Sequence, residues 1–439
     1  MSSIVNQLGG YLFWFVAAAA SVRAAALGEV AYLVSLASII SSLLAFGVPT
    51  AVMRLWPATG DRRYAEGALA FLLAASAASF LLVFLRPVLA LLTASGLMAT
   101  FYSAYFQASF NTRPVFLATA AGQAARVVGA VFFASFGPDA LAATYAWPGL
   151  LLAGLGAAYF RLRPRAFGLG ELARAGFSVW LPGSINILGV NLGVVAAYNL
   201  AHPEVAGFVY IAQVLANAAV GVATVVTGVL LPYLSSSREP DAAAVKAFRL
   251  ALAVSAPLAA ALMTGGWHFL ALLGRQYVEA ADALAVFVLA NLAALAAQSL
   301  SSLVYAEGSY YTYLGVGAAA NAARVVLYLL WGSSDVGVAA SFLAGSLVGL
   351  GLFAYFRRSV AREMAVAAPR AFAASLPALV LAPFGVASAA VGAAAGYLLE
   401  LRLGLVSRGE LGEFARQVLP SSLYLRLAPV AARLLDLID

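Results

Sequence analysis

The chain has no cysteine, a single lysine (Lys246) and two histidines in 439 residues. The missing thiols exclude disulfides, cysteine nucleophiles and thiolate metal sites. His202 and His268 are isolated, so no histidine cluster offers a metal site. Charge is scarce too. Only 10% of residues are Asp, Glu, Lys or Arg, where a soluble domain carries about 25%. With 64% hydrophobic residues and a mean hydropathy of +0.94, the composition excludes a soluble globule. The net charge of +7 therefore belongs to a membrane protein, and no nucleic-acid partner is expected. Alternating segments of a β-barrel are also absent. The fold class is all-α and polytopic.

About 20 apolar residues cross a bilayer. Spans are predicted near 4–22, 30–52, 66–85, 88–107, 114–135, 141–160, 176–199, 207–233, 247–270, 283–303, 310–331 and 336–356. Two shorter ones follow near 371–385 and 387–402, giving 12–14 transmembrane helices. Ile4 to Val22 lacks a basic leader and reads as a retained first span. Basic residues concentrate on the cytoplasmic side of membrane proteins. With the N-terminus inside, twenty of the 25 basic residues fall on the inner side and only Arg23, Arg86 and Arg275 on the outer. Both termini are then cytoplasmic and the compartment is the plasma membrane.

The two remaining basic residues lie deep in spans. Gly122-Gln123-Ala124-Ala125-Arg126-Val127-Val128 sits in span 5, and Ala320-Asn321-Ala322-Ala323-Arg324-Val325-Val326 in span 11. An arginine at such depth costs about 3 kcal/mol on insertion scales. All 18 acidic residues fall in loops, at span ends or in the tail. Arg126 and Arg324 thus have no carboxylate partner, and a phosphate-bearing substrate could supply the missing charge through paired hydrogen bonds. A structural reading stands beside it, in which each guanidinium binds backbone carbonyls or internal water. Gln123 and Asn321 precede their arginines by three residues, on the same helical face.

The phrases are six spans apart, as are Gly28-Glu29-Val30-Ala31 and Pro203-Glu204-Val205-Ala206-Gly207. Six is even, so the chain reads as two pseudo-symmetric six-helix bundles in one orientation, with two further C-terminal helices. The divisions are a first bundle over 1–163, a basic cytoplasmic linker over 164–175 and a second bundle over 176–358. Two short spans over 359–404 and a cytoplasmic amphipathic tail over 405–439 complete the chain.

Together with Gly47-Val48-Pro49 and Arg54, Leu230-Leu231-Pro232, Gly274, Tyr277, Ala280 and Ala306-Glu307-Gly308, these motifs resemble a family. It is the polysaccharide-type flippases of the multidrug/oligosaccharidyl-lipid/polysaccharide exporter superfamily. The resemblance implies a central cleft walled mainly by spans 1, 2, 7 and 8, and alternating access without ATP hydrolysis by the protein itself. Members often carry an acid in span 7, where this chain has Asn186 and Asn191. Together with Gln213 of span 8, these amides suit either sugar recognition or helix packing. Arg23 and Arg54 cap span ends as landing points for a headgroup or as interfacial anchors.

The expected function is flipping a polyprenyl (pyro)phosphate-linked oligosaccharide from the inner to the outer leaflet. That implies glycosyltransferases of the same pathway as partners, no cofactor, no enzymatic activity and a monomer. A cation-coupled multidrug exporter is the alternative, although its cations call for buried carboxylates. A membrane glycan polymerase or ligase is the other, although catalysis calls for a positioned base.

Overall fold

The computed structural model describes residues 2–20, 22–109, 113–160, 163–221, 223, 234, 239–407 and 409–410. They form α-helices joined by short turns. In chain order these are α1 (Ser2–Ala19), α2 (Ala24–Ala45), α3 (Val48–Thr59), α4 (Arg63–Ser79), α5 (Pro87–Ala108), α6 (Arg113–Phe133), α7 (Pro138–Ala143) and α8 (Trp147–Phe160). The second half has α9 (Leu169–Leu200), α10 (Pro203–Gly221), α11 (Pro240–Leu273), α12 (Ala281–Ala306), α13 (Tyr310–Trp331), α14 (Asp335–Phe356), α15 (Arg358–Leu381) and α16 (Val386–Arg402). Twelve helical segments are long and apolar enough to cross a membrane. The chain is a polytopic all-α membrane protein.

Neighbour relations repeat between the halves. In the first, α6 packs on α1 and α8, and α5 packs on α2 and α8. In the second, α13 packs on α9 and α14, and α12 packs on α10 and α14. The extra pair, α15 and α16, packs on itself and against α11.

Several boundaries differ from the sequence expectation. The second span does not run unbroken through 30–52. Phe46 and Gly47 take positive φ values of 49° and 67°, and Pro49 then starts α3, since its fixed φ suits a first helical turn. The stretch 164–175 is a linker only to residue 168, because α9 already begins at Leu169. Leu172 is buried there, and Glu171 accepts a hydrogen bond from the Tyr64 hydroxyl. Residues 358–370 belong to α15 and not to a loop. Val360, Met364, Ala367 and Ala371 recur at helical spacing and are buried, so a face that hydropathy alone scores as polar still has a core side. The tail beyond residue 410 lies outside the described residues. At its start, Glu410 accepts from Ser407 and from Arg249 Nη2 at 2.6 Å. Burial pushes this carboxyl up, but those hydrogen bonds outweigh it and hold it below its usual range. This contact persists at neutral pH and weakens only as acid protonates Glu410.

The two bundles meet along α2, which lies against α9 and α10. Near the face that holds Arg23 and Arg86 the contact is backbone on backbone. A Cβ on Gly28 would stand 1.6 Å from the Pro203 carbonyl oxygen, and one on Gly207 would stand 2.5 Å from that of Ala24. The repeated sequence motif is therefore the two sides of one close helix crossing, which small residues permit. Tyr32 stacks on Tyr198 at 4.1 Å. Gln276 accepts from the Ala24 amide at 3.4 Å and donates to the Val22 carbonyl at 3.3 Å. Arg86 pairs with Glu29 and Asp139 alongside. This face is sealed.

Gly28→Val must push α2 and α10 apart, an overpacking that costs about 1–3 kcal/mol. The cysteine-free chain allows a direct reading through a single Val34→Cys reporter on the cavity wall. A membrane-impermeant maleimide applied from the Arg23 side should label it faster in the Gly28→Val background. Unchanged labelling together with an unchanged melting temperature would contradict the seal.

Candidate substrate cavity

Between the bundles lies a cavity of about 1120 Å³. Its walls come from α1, α2, α3, α5, α6, the turn into α8, α9 and α10. It reaches from Tyr11 and Arg126 to Met53 and Gln107, near the opposite, arginine-rich face. Spans 1, 2, 7 and 8 contribute as the family likeness implies, and α5 adds a wall that the sequence reading did not anticipate.

Arg126 is the one charged residue among the described residues that line it. It is only 6% exposed. Its guanidinium carbon stands 4.3 Å from the centre of the Tyr145 ring and 5.4 Å from that of Phe13. Gly10 lies alongside, where even a Cβ would meet Nη2 only at contact distance, 3.5 Å. Desolvated cation–π contacts are worth about 2 kcal/mol, so these rings offset part of the burial. They bring no net negative charge. No described carboxylate pairs with Arg126, and its Nε has no hydrogen-bond partner. Gln123, one turn away, lines the same cavity and is buried.

Arg324 does not share this chamber. Its Nη1 donates to Asn321 Oδ1 at 3.1 Å and its Nη2 to Ser346 Oγ at 3.0 Å. Phe342 lies under it at 4.3 Å. Its side chain runs flat over Gly345, where a Cβ would come within 2.1 Å of Arg324 Cγ. Asn321 in turn donates to the Gly317 carbonyl at 2.9 Å. The expectation of two guanidiniums facing one aqueous space is thus corrected to one. The reason is local. The internal repeat sets Tyr145 beneath Arg126 and Phe342 beneath Arg324, offset by 197 residues. The same offset aligns Ser346 with Gly149. The second bundle supplies a hydroxyl to its arginine, and the aligned position of the first, a glycine, supplies none.

Other expected site residues also lie off the cavity wall. Arg23 and Arg54 are exposed and do not line it, although Thr50 and Met53 on the same helix as Arg54 do. Asn186 is exposed elsewhere on α9, and Asn191 donates to the Ile187 carbonyl at 3.1 Å. Gln213 is buried away from the cavity. On α10 the face presented is Tyr210, Val214 and Asn217, and Asn217 accepts from Asn291 at 2.9 Å. A helical residue four positions along is displaced by about 40°, enough to move Gln213 from the lining. Trp14, a deep tryptophan for which the sequence left cleft and lipid both open, lines the cavity, and the sequence reading missed its partners Tyr145 and Tyr210. Trp14 stands 4.7 Å from Tyr210, and Phe13 stands 4.9 Å from Tyr145. The 197-residue echo of Tyr145 in Phe342 was the available signal.

No family model matches the chain, and no curated protein does. Solved transporters share its fold. The lipid II flippase MurJ, in an inward closed conformation, superposes with a TM-score of 0.72 at 11% identity, over 95% of this chain and 97% of that one. An inward-facing multidrug resistance MATE family transporter of the MOP superfamily gives 0.57 at 14% identity, over 82% and 98%. A MOP superfamily transporter from Pyrococcus furiosus Vc1, described as having a binding pocket of reversed polarity that suggests a different function, gives 0.50 at 14%, over 82% and 96%.

The two arginines should separate on thermal denaturation in detergent. Arg324→Ala strands Asn321 and Ser346 and opens a space over Phe342, so it should be destabilised by about 2–4 kcal/mol. Arg126→Ala removes a buried charge that no described carboxylate neutralises, and it breaks no bond like those Arg324 makes to Asn321 and Ser346, so it should melt at or near the wild-type temperature. The reverse order would refute the assignment.

Proposed function

We propose that this chain flips a polyprenyl phosphate- or pyrophosphate-linked oligosaccharide from the inner to the outer leaflet by alternating access, for polysaccharide or glycan export. The single observation that carries this reading is Arg126. A desolvated guanidinium, unpaired by any described carboxylate, lines a cavity large enough for a headgroup. A phosphate supplies the absent charge with paired, charge-assisted hydrogen bonds. The lipid tail stays in the bilayer while the bundles over 1–163 and 176–358 rock about the bound headgroup. The sealed crossing at Gly28 and Gly207 and a cavity that reaches toward the arginine-rich face correspond to a state loading from the inner leaflet. Gln123 orients the guanidinium or meets the first sugar.

The fold alone also accommodates multidrug export, since MATE transporters share it. The lining speaks against that reading. An organic cation needs a carboxylate, and this wall offers the opposite sign. Reversed pocket polarity accompanying a different function is described for a transporter of the same fold. Membrane lipids and the glycosyltransferases that build the substrate are the partners this reading implies. One chain holds both bundles, so a monomer suffices. The plasma membrane, with both termini cytoplasmic, is the corresponding location.

The test is flipping of a fluorescent prenyl-pyrophosphoryl oligosaccharide in proteoliposomes. A hydrogen bond to a charged group is worth about 1.5–3 kcal/mol, so Arg126→Ala should slow flipping by at least tenfold. Arg126→Lys keeps the charge but not the two-pronged geometry and should fall between. Wild-type flipping by Arg126→Ala would end the proposal.

A further inference from the structure

Arg126 accounts for one end of the cavity and leaves its longest wall unexplained. One face of α5 presents Ser95, Thr100, Ser103 and Gln107 to the space, and α2 presents Ser38 and Ser41. Ser95 to Gln107 spans about 18 Å along the helix. Four of these side chains share a directional property. Ser38 Oγ donates to the Val34 carbonyl at 2.8 Å, Ser41 Oγ to Ala37 at 2.6 Å, Ser95 Oγ to Leu92 at 3.0 Å and Thr100 Oγ1 to Leu97 at 2.9 Å. A hydroxyl has one proton and two lone pairs. With the proton tied to its own helix, each presents only an acceptor to the cavity. Ser184, from α9, also lines the space. It is 4% exposed, and its Oγ has no partner.

We infer that the α2 and α5 walls form a second subsite for the uncharged, donor-rich body of the headgroup, namely neutral sugars rich in hydroxyl or amide N–H groups. This rests on the reading of Arg126 as the phosphate site. A guest held against these four hydroxyls must donate hydrogen bonds to them, which a neutral sugar does through every free hydroxyl. A carboxylated sugar brings acceptors to an acceptor wall and would be desolvated without compensation. A drug-like cation could also donate, but Arg126 repels it. Anion at one end and polyol along the other is the combination that this lining selects. Both subsites belong to the first bundle, so the headgroup rides on that bundle when the seam to α9 and α10 shifts.

The test measures binding to the full-length protein in detergent, with three short-chain prenyl pyrophosphates. One is bare, one carries a neutral disaccharide, and one carries a disaccharide ending in a uronic acid. In the wild type the neutral disaccharide should tighten binding about tenfold over the bare probe, as two or three net hydrogen bonds would, and the uronic acid probe should gain little. The double variant Ser38→Ala, Thr100→Val, which keeps side-chain volume close to native, should lose most of that gain and keep its affinity for the bare probe. Arg126→Gln should weaken all three probes together. A neutral sugar that adds nothing, a uronic acid that binds as tightly as the neutral sugar, or a double variant that loses affinity for the bare probe equally would overturn the subsite. Bare-probe binding that ignores Arg126→Gln would instead overturn the anion site, so the two failures are distinguishable.

Discussion

The close crossing of α2 with α10 is the contact on which the rest of the molecule depends. Between apolar helices in lipid there is no hydrophobic drive to associate, and packing distance decides affinity. Gly28 and Gly207 let two backbones meet where any side chain would collide with a carbonyl. That meeting closes one face of the bundle pair. It also fixes how far apart the two halves stand farther along α2, and so makes room for a cavity of about 1120 Å³. A larger residue at either position would change the chamber without touching its lining.

Within the chamber the decisive property is an imbalance. Buried charges are normally matched, because the penalty for isolating one in a medium of low dielectric is large. Arg126 is held by aromatic faces and by little else. Its pseudo-equivalent, Arg324, donates through Nη1 to an amide and through Nη2 to a hydroxyl, although its Nε, like that of Arg126, has no partner. One internal duplication has thus yielded a structural arginine and one that lines the cavity. The difference traces to two positions, Asn321 and Ser346 in one bundle against Gln123 and Gly149 in the other. A buried cation that no described carboxylate neutralises, on the wall of a cavity, is what the proposed phosphate site rests on. The hydroxyl wall beside it restricts the class of guest further, through the direction of its hydrogen bonds.

The extra helices α15 and α16 lie against α11 and away from the cavity. Their contacts are of a different kind, with small residues again prominent. Gly392 sits against Pro377 and Ala378, and Gly396 against Ala374 and Pro257. Tyr397 donates to the Val254 carbonyl at 2.8 Å. The pair is therefore docked on the second bundle.

Hydropathy, charge bias and the two echoed motifs were enough to determine a polytopic helical protein and to place both arginines inside long apolar helices, because those properties follow from local composition; the count of spans they left between twelve and fourteen. They placed Gly28 and Pro203 at matching points but could not say that the two touch. Which arginine faces open space, and which face of α10 or α9 lines the cavity, was decided only in the folded molecule. Rotation of a helix about its axis depends on the partner it packs against, and Ser346, Phe342 and Gly149 stand tens of residues from the arginines whose fates they set. The proton direction of the serines on α2 and α5 is likewise invisible in one dimension. It emerges once the neighbouring carbonyls and the space beyond them have positions.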